Sequence, residues 1–79
     1  MKKSEMQEKF RLLLEDRKER IKKAADKGNQ PTALMFYGEV CGIAASMRTI
    51  GLIDWDQKDY IEREAWAIYK REEPEHEAC

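Results

Sequence analysis

ALMFYGEVCGIAASMRTIGLI, residues 33–53, is the stretch that decides the fold. It holds only two charged residues, Glu39 and Arg48, in a chain that is 39% charged. A surface helix carries its apolar residues on one stripe, whereas these run nearly all the way round. Such a helix has to be covered on several sides. In 79 residues the cover must come from the segments before and after it, or from a second copy of the chain.

The flanks read as helices. Upstream, Met6, Phe10, Leu13, Leu14, Ile21, Ala24 and Ala25 recur at steps of three and four, the period of an amphipathic helix. Ser4 with Gln7 matches an S-x-x-Q capping box, so a first helix is expected over about 4–27. Gly28-Asn29 is a stop signal, and Pro31 suits the first turn of a second helix over about 31–50. Gly51 suits the left-handed residue that closes it. Asp54 with Gln57 forms a second capping box, opening a third helix over about 55–73 that Pro74 ends. Ile61, Ala65 and Ile68 form its core stripe, flanked by Tyr60, Trp66 and Tyr69. The expected fold is a single all-α domain over 1–79, a three-helix bundle with a buried central helix and a disordered tail, 74–79. Short connections make neighbouring helices antiparallel.

A domain of this size buries only about 60% of its unfolded surface, so small scaffolds add a disulfide, a metal or a partner. Cys41 lies inside the apolar stretch and Cys79 at the end of an acidic tail, so a bridge between them is not expected. That cysteine usage fits a reducing, cytoplasmic setting. Glu39 and Arg48 count against membrane insertion, and MKKSEMQEKF has no apolar core of a secretory signal. Charge is uneven: residues 1–28 carry +4, residues 29–53 are neutral, and residues 54–79 carry −5. A basic head and an acidic tail attract each other within or between chains.

Gly38, Gly42, Ala45 and Thr49 fall within about 60° of one another on a helical wheel. A stripe of small residues admits another backbone at close range. Two readings follow: packing against the first or third helix, or a two-fold contact that builds a homo-oligomer through Gly38, Gly42 and Ala45. In the second, Leu34, Met35, Val40, Ile43, Met47 and Ile50 pack within the subunit. Glu39 and Arg48 lie on opposite sides of the helix; either Glu39 meets the basic first helix and Arg48 the acidic third, or both reach solvent at the bundle edge.

Chemistry finds little purchase. No phosphate loop, H-E-x-x-H or nucleophile elbow occurs, and the one histidine, His76, sits in the tail, so no enzymatic activity and no cofactor are expected. Glu75, His76, Glu77 and Cys79 mix hard and soft ligands on a chain end, which reads as a solvated tail rather than a metal site. Arg17, Lys18, Arg20, Lys22, Lys23 and Lys27 crowd the first helix. Arg17, Arg20, Lys22 and Lys23 form a basic face that suits nucleic-acid phosphates or an acidic protein. Interleaved Glu15, Asp16 and Glu19 read equally as a self-compensating surface. Tyr37, Arg48 and Trp66 are candidates for contact with a ligand or partner, since aromatics stack a base and a guanidinium holds phosphate. Aromatics at helical spacing also serve simply as core.

The segment GLIDWDQKDYIEREAWAIYKRE, with YGEVCGIAASMRTI before it, resembles the helical hairpins of short proteins from bacteriophages and mobile elements. Gly-Leu-Ile closes one helix, Asp opens the next, and an aromatic follows six positions on. The resemblance implies a small accessory protein that blocks or sequesters a host component, an anti-defence factor for example. Alternatives are an oligomeric sponge for a nucleotide-type signal and a nucleic-acid binder using the basic first helix.

Overall fold

The computed structural model describes residues 2–71. Three α-helices follow one another: α1 (Lys3–Asp26), α2 (Gln30–Thr49) and α3 (Trp55–Lys70). No strand occurs among the described residues. α1 packs along α2, and α3 lies against both. The expectations for the tail, including Glu75, His76, Glu77 and Cys79, lie outside the described residues.

Both connections end in the same backbone device. Gly28 takes φ 75° and Gly51 takes φ 81°, values that only glycine adopts without strain. At the first, Asn29 N–H donates to Ala24 O at 2.8 Å; at the second, Leu52 N–H donates to Met47 O at 2.9 Å. These six-to-one bonds satisfy carbonyls that the helix leaves open. Leu52 is buried, which locks the second turn onto the core.

Starts are less uniform. Asp54 Oδ1 accepts from Gln57 N–H at 2.8 Å while Gln57 Oε1 accepts from Asp54 N–H at 2.9 Å, a complete capping box. Asn29 caps α2 more loosely, accepting from Thr32 N–H at 3.4 Å. The Ser4–Gln7 box does not form: Lys2 is the N-cap, with no side-chain hydrogen bond. Gln7 instead donates across the bundle to Leu52 O, at 3.5 Å. A tertiary partner has taken the side chain that a local cap would have used.

The core is thin. Of the ten buried apolar residues among those described, five are alanines (Ala24, Ala25, Ala33, Ala44 and Ala65), so the helices approach closely while burying little area each. Ile21 and Val40 are the largest fully buried side chains. Between Leu14 and Ile21 the apolar stripe of α1 is interrupted by Arg17 and Lys18. Each half-buried stem sends its head to a different neighbour: Arg17 Nε to Glu39 Oε1 at 2.6 Å on α2, Lys18 Nζ to Glu64 Oε1 at 2.5 Å on α3. Side chains of this kind lay methylenes on the core and keep the charge at its edge.

Candidate functional site

Helix α2 has two faces. Ala33, Val40, Ala44 and Met47 look into the bundle and are at most 5% exposed. Leu34, Met35, Gly38, Gly42, Ala45, Ser46 and Thr49 look out and are exposed. At 100° per residue, Leu34 and Met35 sit within about 60° of Gly38, one on each side, so the bulky residues and the small ones share one strip. Leu34, Met35 and Ile50 are each about half exposed (49%, 54% and 50%). The expectation that these three pack within the subunit is corrected: of the six, Val40 and Met47 are buried and Ile43 is half-buried. Likewise α2 is not enclosed by α1 and α3. Two neighbours cover one side of a helix, and the described residues hold no third.

The stripe of small residues packs against nothing among the described residues. A Cβ built on Gly38 or on Gly42 meets no atom within 4 Å. This rules out the reading in which the glycines let α1 or α3 approach. Polar atoms on the strip are spent internally: Ser46 Oγ donates to Gly42 O at 3.0 Å and Thr49 Oγ1 to Ala45 O at 2.9 Å. Such back-bonding leaves the strip uncharged, with its hydroxyl hydrogens already used.

Charges mark its borders. Glu39, on the α1 side, is held by Arg17, which also pairs with Asp16. Hydrogen bonding to Glu39 is the main reason the Arg17 guanidinium is raised above its ordinary pKa. On the α3 side the guanidinium of Arg48 lies 4.3 Å from the Trp55 ring centre, with no carboxylate in ion-pair range among the described residues. Its Nε is shielded from solvent and has no hydrogen-bond partner among the described residues. Arg48 therefore does meet α3, but through an aromatic face rather than an acid.

Tyr37, Trp66 and Tyr69 form a second group at the α2–α3 border. Ring centres are 5.2 Å apart for Tyr37–Trp66, in an edge-to-face arrangement, and 5.1 Å for Trp66–Tyr69. Lys70 Nζ lies 5.4 Å from the Trp66 ring centre. A hydrogen bond with the Cys41 thiol, followed by burial, pushes the Tyr37 phenol up to about 12. Tyr37 and Trp66 are thus brought together, whereas Arg48 stacks on Trp55 instead. Eleven helical residues, about 16 Å, separate Tyr37 from Arg48 along α2. The three do not make one ligand site.

The basic face of α1 is largely answered by neighbours. Arg17 pairs as described, Arg20 Nε reaches Asp16 Oδ2 at 2.8 Å, and Lys23 Nζ reaches Glu19 Oε1 at 3.6 Å. Lys22 and Lys27 have no ion pair among the described residues. Hydrogen bonds from Arg20 are the largest cause of a lowered Asp16 carboxyl. No group of three or more metal-ligating side chains occurs among the described residues. No described helix is long and apolar enough to cross a membrane.

Sequence reasoning singled out Gly38, Gly42 and Ala45 but left Leu34 and Met35 out of their strip. The signal was available, since Leu34 precedes Gly38 by one helical turn. Lys18–Glu64 had no sequence signal, because 46 residues separate the partners. Comparison with protein-family models, curated proteins and solved structures gave no match, so the geometry carries the functional argument alone.

Proposed function

We propose that this chain is a non-enzymatic helical interaction protein that associates through the outer face of α2, first with copies of itself, and in that state binds a host macromolecule. One observation carries the reading: a strip some four turns long bears no charge, exposes Leu34 and Met35, and has open space over both of its glycines among the described residues. Solvent is a poor neighbour for such a strip, and a second helix a good one. The thin alanine core points the same way, because a small domain gains stability by sharing surface. The accessory role follows the resemblance to phage and mobile-element hairpins.

Light scattering on the purified chain at micromolar concentration tests the association. The expected result is a dimer or larger species, reduced to monomer by Ala45→Arg, with the helical circular-dichroism signal unchanged. A wild-type protein that stays monomeric at concentrations on the order of 100 μM, a Kd scale of about 5.5 kcal/mol, overturns it.

A further inference from the structure

At the hairpin between α1 and α2 lies a cavity of about 230 Å³, lined by Arg20, Lys23, Lys27, Asn29, Thr32 and Phe36, with Ala24 at its floor. Arg20 and Lys23 come from one side of α1 and Lys27 from its C-terminal cap, at steps of three and four residues. Asn29, Thr32 and Phe36 face them from the turn and the start of α2. Among the described residues three cations line the cavity and no carboxylate does. The Arg20 guanidinium lies 5.9 Å from the Phe36 ring centre. Asn29 spends its carbonyl oxygen on Thr32 N–H, which leaves its amide hydrogens as donors. The lining is therefore rich in hydrogen-bond donors and positive in charge.

From this arrangement we infer that the α1–α2 hairpin binds the phosphoryl group of a small phosphorylated ligand, held by Arg20, Lys23 and Lys27. The inference does not depend on association through α2. Phosphate oxygens accept the hydrogen bonds that ammonium and guanidinium groups donate, and two or more negative charges match the cluster. Asp16 and Glu19 already contact Arg20 and Lys23, but these pairs are exposed helical neighbours that exchange at little cost. Lys27 has no carboxylate in ion-pair range among the described residues.

Size and surroundings favour a small ligand over a nucleic acid. The cavity is below the roughly 300–1,000 Å³ of pockets that engulf a whole ligand, so it takes a charged group and leaves the remainder outside. A duplex presents one charge about every 1.7 Å and needs cations along a track. Here the next cavity along α1 is lined by Glu15, Asp16 and Glu19 as well as Arg20 and Lys23, so the positive spot is an island bounded by acid.

The test is a titration of the full chain with inorganic diphosphate, followed by amide NMR and repeated with sodium chloride at matched ionic strength. Saturable shifts confined to residues 20–36, with a Kd on the order of 1 mM or tighter, support the site. Lys27→Gln and Arg20→Gln should each weaken binding about tenfold, the usual scale for one charged hydrogen bond. Lys22→Gln removes the same charge from outside the cavity and should change binding less than about twofold. These exposed substitutions leave the fold intact, which circular dichroism checks. Adenosine diphosphate in a parallel arm reports whether a nucleoside adds affinity; equal or tighter binding than diphosphate is the supporting result. Three outcomes overturn the inference: shifts no larger than chloride produces, equal weakening by Lys22→Gln and Lys27→Gln, or binding of a single-stranded oligonucleotide alone.

Discussion

The inner and outer faces of α2 are built from nearly the same kind of residue and meet opposite environments. Val40 and Ala44 are fully buried, while Gly42 and Ala45, one or two residues away, are exposed. Hydropathy is a property of the segment, but burial is a property of the direction each side chain takes. The inner face is covered by α1 and α3 because both connections are short and fold back on the same side. The outer face is left to whatever the chain meets. A strongly apolar helix in a small domain thus reports on association as much as on the core.

The hardest blow to that contrast is a charge moved from one face to the other. Val40→Asp buries a carboxylate with no partner and should cost about 3–5 kcal/mol, enough to remove the cooperative thermal transition of a small domain. Ala45→Asp puts the same group on the outer face and should leave the monomer folded. Equal loss of the melting transition in both would show that the two faces are equally covered in solution, by a partner copy on the outer one.

A smaller effect concerns how α3 is brought onto the inner face. Asp54→Ala removes the reciprocal cap and should destabilise by about 0.5–2 kcal/mol in chemical denaturation. Ser4→Ala, at the box that does not form, should fall within about 0.5 kcal/mol of wild type. A larger cost at Ser4 than at Asp54 would reverse the assignment of caps.

Gly42→Ala sharpens the contrast by its sign. No described neighbour lies within 4 Å of the added methyl, so the monomer should gain about 0.5–1 kcal/mol from helix propensity. If a second backbone approaches Gly42 in an oligomer, the same methyl weakens association while raising the stability of the monomer. Denaturation read at two protein concentrations separates the two effects.

Last comes the border between the faces. The Tyr37 phenol, pushed up to about 12 chiefly by its hydrogen bond with Cys41, should remain protonated at pH 11 in an ultraviolet titration. An unfolded tyrosine titrates near pH 10, so the stability linked to Tyr37 is whole below about pH 10 and is lost as pH rises toward 12. In Cys41→Ala the phenol should move back toward its ordinary value. A phenol that titrates near 10 in the wild-type protein would mean that the Tyr37–Cys41 contact does not persist.

Sequence and structure divide this protein along physical lines. Sequence by itself determined what is local: three helices, the glycines at residues 28 and 51 that end two of them, the Asp54–Gln57 cap, and the inward stripe of α1. Each rests on backbone stereochemistry or on contacts within one or two turns, so the residues in order are enough. Tertiary structure alone decided which side of α2 is covered, that Gln7 leaves its cap for Leu52, that Arg48 stacks on Trp55, and that Lys18 reaches Glu64. Those outcomes depend on how rigid helices dock across dozens of residues. Competing partners there differ by about 1 kcal/mol each, and the packed geometry selects among them.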